Sequence, residues 1–211
     1  MKSLIRETTP SVEGYVAHIA ERPIQLEDFI DMAQGRYVEL VDGVIEGKDV
    51  IQVGHEFCSA WLYQVLGPFV KHQKLGVMFA SRILVEVDEF GGRLPDLLFV
   101  KEQRLNIIKE QAVYGAPDLV IEIDSPGTRR AARLKLEAEY RRLGVPEIVF
   151  INLDKGTMRF IRKRGGSYAE EVVSAGPVRF EAIEGLTLDA DWILREPRPD
   201  VIDTLIRLTK S

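Results

Sequence analysis

Two apolar runs in this chain each carry a carboxylate where a core strand is least able to hold one. The first is Arg93-Leu-Pro95-Asp96-Leu-Leu-Phe-Val100. The second is Asp118-Leu-Val-Ile-Glu122-Ile-Asp124-Ser125-Pro126. Short, nearly continuous apolar runs of this kind read as strands covered on both faces. A buried, unpaired carboxylate is costly. Two of them on neighbouring strands would also repel each other, unless a positive charge lay between them. A divalent cation is the simplest such charge. The pair therefore calls for an α/β domain with an acidic site built on its central strands.

The rest of the chain fits that class. At 211 residues, 45% hydrophobic and 29% charged, it has the make-up of an ordinary globular protein. We expect an N-terminal arm (residues 1–23), one domain (24–194) and a helical appendage (195–211) beyond the linker Arg195-Glu-Pro-Arg-Pro199. No apolar stretch approaches the roughly 20 residues needed to span a bilayer, so no membrane partner is expected. Met1 to Pro10 is polar and lacks a signal-peptide core, so a cytoplasmic location is expected. Cys58 is the only cysteine, which excludes an internal disulfide and a cysteine-based zinc cluster.

Periodicity predicts a short helix at Gln25 to Ala33 and a hairpin from Tyr37 to Glu46 turning at Asp42-Gly43. A long helix from His55 to about Lys74 has Phe57, Cys58, Trp61, Leu62, Val65, Leu66 and Phe69 as its apolar stripe. Strands are expected at Val77 to Val87, Leu94 to Val100, Leu119 to Ile123 and Glu147 to Leu153. Between the last two lies a helix, Arg129 to Leu143, capped by Ser125 or Thr128 and stopped by Gly144. That order implies a parallel pair joined by a right-handed crossover. Shorter strands follow at Thr157 to Lys163, Tyr168 to Val173, Val178 to Ala182 and Leu186 to Leu188. A last helix runs from Val201 to Leu208, and it is a candidate homodimer surface.

Charge is unevenly spread. The net charge is −5, yet residues 129–142 hold six bases against two acids, and residues 155–168 hold five bases and no acid. Such a strip suits a phosphate backbone, with Arg129, Arg130 and Arg133 as candidate nucleic-acid contacts. The alternative is a solvated helix face and a charged hairpin edge.

Taken in order, these segments resemble one known family. Tyr37-Val-Glu39-Leu-Val-Asp-Gly43, the helix opening at His55, Pro95-Asp96, Glu122 with Ser125-Pro126, a Lys-bearing helix ending in Tyr140, and Gly144-Val-Pro-Glu147 together resemble the Uma-type restriction endonuclease family. That family lies within the PD-(D/E)xK nuclease superfamily, and the resemblance covers roughly residues 24–192. It implies a restriction-endonuclease-like core with a mixed central sheet flanked by helices. It further implies DNA as substrate and Mg²⁺ or Mn²⁺ held by Asp96, Glu122 and the carbonyl of Ile123.

Two positions depart from the resembled pattern. The superfamily places a lysine two residues after the second acid, and Asp124 stands there. Many members of the family take the lysine from the next helix instead, four residues before the tyrosine, and Leu136 stands there. Lys135 is one residue earlier, about 60° off the stripe of Ala132, Leu136, Tyr140 and Leu143, on the flank with Glu139 and Arg142. Its long side chain either reaches the site as charge stabiliser or pairs with Glu139. Asp124 shares a strand face with Glu122. It either joins the site or opens the turn to Thr128. Glu39 and His55 are candidate accessory residues.

Bland roles compete with these. Asp96 could bind backbone amides, Glu122 could pair with Arg82 or Arg93, and Tyr140 could be a core residue seeking one partner for its hydroxyl. The reading is a metal-dependent endonuclease, and the alternative is a catalytically inactive nuclease-fold module binding nucleic acid or a partner protein.

Overall fold

The computed structural model describes residues 23–33, 36–48, 52–80, 83–124 and 130–210. Nearly all of the expected N-terminal arm, the Ser125 to Thr128 turn, Arg82 and Arg129 lie outside the described residues.

The chain opens with α1 (Leu26–Ala33), then the hairpin β1 (Val38–Val41) and β2 (Val44–Gly47), then the long α2 (Val53–His72). Four strands follow: β3 (Gly76–Ala80), β4 (Val85–Asp88), β5 (Gly91–Arg93) and β6 (Leu97–Lys101). After a 3₁₀ turn come β7 (Val113–Tyr114), β8 (Leu119–Ile123), α3 (Arg130–Leu143) and β9 (Glu147–Asn152). The rest is β10 (Thr157–Arg164), β11 (Ser167–Val173), β12 (Pro177–Arg179), β13 (Thr187–Asp189), α4 (Ala190–Leu194) and α5 (Val201–Thr209).

A six-stranded sheet ordered β11-β10-β9-β8-β6-β3 forms the centre. Its one parallel pair is β8 with β9, joined through α3 as the strand-helix-strand order requires. Alternate residues of the central strands enter opposite cores. Leu97, Phe99, Leu119, Ile121 and Ile123 pack with Leu62, Val65, Leu66 and Phe69 of α2. Leu98, Val100, Val120, Ile148 and Phe150 pack with Tyr140 of α3. This is the two-residue period of a strand buried on both faces. It explains why the β8 sequence is apolar without alternation.

A second, smaller sheet, β2-β1-β5-β4-β7, lies over a core of Leu26, Phe29, Leu40, Ile45, Leu84 and Leu94. Its presence corrects one expectation. Val77 to Val87 is not a single strand: β3 joins the central sheet and β4 the small one. The hairpin is as predicted, with Val41 opposite Val44 and both turn residues at positive φ, 51° for Asp42 and 74° for Gly43. The stripe of α2 also holds, except that Phe57 is 63% exposed. Helix α5 packs against α2: the Trp61 indole donates to the Pro199 carbonyl (2.8 Å), and Val201, Leu205 and Leu208 lie on the main core.

Candidate active site

Strands β6 and β8 run antiparallel with Leu97 opposite Ile121. That register sets Asp96, just before β6, against Glu122, near the end of β8. Both carboxylates are buried. Asp96 Oδ2 accepts the backbone N–H of Ile123 (2.7 Å) and lies 3.1 Å from His55 Nε2, at the start of α2. A carboxylate only accepts, so Nε2 is the ring nitrogen that carries the hydrogen in this bond. The other ring nitrogen, Nδ1, is buried without a partner among the described residues. Glu122 Oε1 accepts the Tyr140 hydroxyl at 2.6 Å.

What separates these two acids from the other buried acids is how many oxygens are engaged. Asp118 uses both, accepting from the Lys101 N–H and from Arg104. Glu139 takes a two-pronged bond from Arg93. Glu147 accepts from Arg162 and the Ala182 N–H, and Glu137 pairs with Arg141 and Arg159. By contrast, Asp96 is anchored only through Oδ2 and Glu122 only through Oε1 among the described residues. One oxygen of each remains for a ligand.

Burial pushes the Glu122 carboxyl up to about 8, and the neighbouring charges of Asp96 and Glu39 add to the rise. The ammonium of Lys48 and the Tyr140 hydrogen bond act the other way. The Tyr140 hydroxyl is itself held well above its ordinary range, first by burial and then by Glu122. A carboxyl in this position is short of positive charge.

Glu39 on β1 braces the approach to Asp96. Its Oε1 accepts the Leu94 N–H (2.8 Å) and its Oε2 accepts from Arg93 (3.2 Å). Lys48, just after β2, donates to the Leu94 carbonyl (2.7 Å) and lies 3.3 Å from Glu39 Oε1. Lys48 was not among the residues singled out by sequence. Nothing in its hairpin pattern marks it, because its relevance comes from β1 pairing with β5 next to Asp96.

Several expected placements are corrected. The flank of α3 carrying Lys135, Glu139 and Arg142 is the one helical geometry indicated, but it faces the small sheet. Lys135 pairs with Asp42, Glu139 with Arg93 and Arg142 with Asp88. Lys135 thus pairs with an acid in the β1–β2 turn and not with Glu139. Asp124 shares the α3-facing side of β8 with Glu122, as its spacing predicts. Its carboxylate bonds Arg133 and the Asn152 side chain (2.9 Å). Glu122 bonds Tyr140, and Arg93 is taken by Glu39 and Glu139, so Arg93 forms no ion pair with Glu122.

The basic strip is largely neutralised in three dimensions. Arg133 is taken by Asp124, Arg141 and Arg159 by Glu137 and Glu170, and Arg162 by Glu147 and Glu171. Arg130, at the first turn of α3, is exposed. Among the described residues no group of three or more His, Cys, Asp or Glu side chains is arranged to hold a metal ion. Among the described residues the donor set is two carboxylates, each with one oxygen that has no protein partner. That fits a hard cation such as Mg²⁺, which takes one or two carboxylates and keeps several waters.

Fold and site together define a mixed α/β protein with an acidic pair on adjacent central strands. The model of the Uma2 family, described as "Putative restriction endonuclease", matches residues 26–191, and the chain belongs to that family. Among solved structures it is similar to that of a putative nuclease belonging to DUF820 from Anabaena variabilis. The TM-score is 0.69 at 20% identity, covering 82% of this chain and 98% of that one. No curated protein matches. Among the described residues no helix is long and apolar enough to cross a membrane.

Proposed function

We propose that the chain is a Mg²⁺- or Mn²⁺-dependent endonuclease hydrolysing phosphodiester bonds of DNA. The observation that carries this reading is the register of Asp96 against Glu122, each anchored, among the described residues, through one oxygen only. Asp96, Glu122 and the Ile123 carbonyl are the residues that would hold the cation. When bound, the cation supplies an acidified water and charge neutralisation at the phosphoryl group. His55 fixes the orientation of Asp96, and the Tyr140 hydrogen bond favours the ionised form of Glu122. Glu39 holds Leu94, two residues before Asp96. Arg130, exposed at the first turn of α3, is a base that can meet a phosphate, a contact that positions DNA without reading its sequence. The restriction-endonuclease description of the family and the nuclease description of the Anabaena variabilis protein support the reading.

One observation favours a second reading, the catalytically inactive module. Both positions where the resembled pattern carries its lysine are filled otherwise, by Asp124 and Leu136. Arg141, Arg159 and Arg162 of the basic strip are ion-paired with acids of the fold, which weakens the strip as a polyanion track in either reading.

The test is cleavage of supercoiled plasmid and of single-stranded DNA by the full chain in Mg²⁺ and in Mn²⁺, beside Asp96→Asn and Glu122→Gln. Cleavage by the unsubstituted chain alone is the expected result. Equal cleavage by all three would mean a contaminant and would overturn the proposal. Absence of cleavage, with salt-dependent DNA binding that survives Glu122→Gln, would favour the inactive module.

A further inference from the structure

Resting on the nuclease reading, we infer that Lys48 is the catalytic lysine of this chain, entering the site from the small sheet instead of from β8 or α3. The two positions that would otherwise supply it are Asp124, tied to Arg133 and Asn152, and Leu136, packed in the α3-side core. Lys135 is occupied by Asp42. Lys48 differs from each. Its ammonium is seated between the Leu94 carbonyl (2.7 Å) and Glu39 Oε1 (3.3 Å), and its own backbone N–H donates to Tyr37. It is part-buried, with 22% of its side chain exposed.

An ammonium has three N–H donors. One is donated to the Leu94 carbonyl, Glu39 Oε1 lies 3.3 Å away, and the ammonium also lies over the Tyr37 ring, 5.7 Å from its centroid. Leu94, whose carbonyl it bonds, stands two residues before Asp96.

The role follows from the reaction. A water oxygen bonds to phosphorus, and the bond from phosphorus to the leaving oxygen breaks. The proton of the water passes to solvent, and the leaving oxygen takes one from solvent. Negative charge grows on the non-bridging oxygens, to which the Lys48 ammonium can donate. A fixed cation in a part-buried seat stabilises such charge without first having to reorganise.

Lys48→Met, Lys48→Arg and Lys135→Met are compared with the unsubstituted chain in plasmid cleavage, in Mn²⁺ titration by calorimetry and in thermal melting. Losing one preorganised donor should lower kcat of Lys48→Met about 10²-fold, with little change in KM. Removing a like charge should tighten Mn²⁺ binding about three- to tenfold. Lys48→Arg should recover part of the rate, and Lys135→Met should lose less than Lys48→Met. Cleavage by Lys48→Met at the normal rate, while Asp96→Asn is inactive, overturns the inference and leaves the nuclease reading standing. A lower melting temperature with unchanged Mn²⁺ affinity and no recovery by Lys48→Arg makes Lys48 structural and also overturns it. If no protein cuts DNA, the nuclease reading falls and the catalytic role falls with it. Tighter Mn²⁺ binding by Lys48→Met would still uphold the position of Lys48 beside the carboxylates.

Discussion

At the scale of single residues, the site is defined by incomplete satisfaction. Buried acids elsewhere in this protein have both oxygens engaged, as burial demands. Among the described residues, Asp96 and Glu122 do not. This has a pH signature. The Glu122 carboxyl is raised from 4.5 to about 8, so the folded protein holds a proton that the unfolded chain has released. Its contribution to stability is complete below about pH 4.5 and is lost as pH rises through about 8. Melting curves of the metal-free protein should therefore fall across that window, and those of Glu122→Gln should fall less. A second residue-scale expectation concerns Tyr140→Phe. Without the 2.6 Å bond to its hydroxyl, Glu122 is harder to ionise, so Mn²⁺ binding at neutral pH should weaken and recover at higher pH. Calorimetric titration at two pH values reads this directly.

At the scale of elements, the hairpin β1–β2 governs the site without belonging to the central sheet. It carries Glu39 and leads into Lys48, and its turn gives Lys135 an ion partner in Asp42. Gly43 holds the hairpin in place: its φ is 74°, and a Cβ there would lie 2.5 Å from Pro23 Cβ. Gly43→Ala should destabilise the fold by more than about 1 kcal/mol, since it meets both backbone strain and a collision. Shifting the hairpin should lower cleavage as well, measured beside denaturant unfolding. The contrast with α3 is instructive. Its flank of Lys135, Glu139 and Arg142 was legible from a turn of about 100° per residue. What that flank faces was not, because the small sheet is assembled from strands far apart in sequence.

At the scale of the whole molecule, helices α2 and α3 clamp the central sheet from its two sides, and α5 closes over α2. Residues 195–211, read as an appendage, lie beyond the family match at residue 191, yet Thr204 is fully buried and Trp61 bonds to Pro199. Deleting residues 195–211 exposes part of the main core and should cost about 3 kcal/mol, a loss of the size expected for a few part-buried aliphatic side chains. Thermal melting measures it. A divalent cation acts on the same scale. Mn²⁺ at about 100 times its Kd should stabilise the folded state by about 2.7 kcal/mol. That gain should vanish in Asp96→Asn and in Glu122→Gln.

The strands β6, β8 and β9, the helix α2 before them, the helix α3 between β8 and β9, and the two acids at β6 and β8 could be read in the sequence, whereas the break between β3 and β4 and the short β5 and β7 could not. Those features are written locally: a strand's burial sets its apolar run, and a carboxylate inside that run stands out wherever the strand finally lies. Tertiary structure alone decided where the long cations go. Arg133 turns to Asp124, Lys135 to Asp42 and Lys48 to the approach to Asp96. A lysine or arginine side chain spans several rotatable bonds, so its end point depends on which acid or carbonyl folding brings nearest. The basic strip was visible in one dimension. Its neutralising acids Glu170, Glu171 and Glu181 reach it only when β11 and the segment after β12 fold against β10.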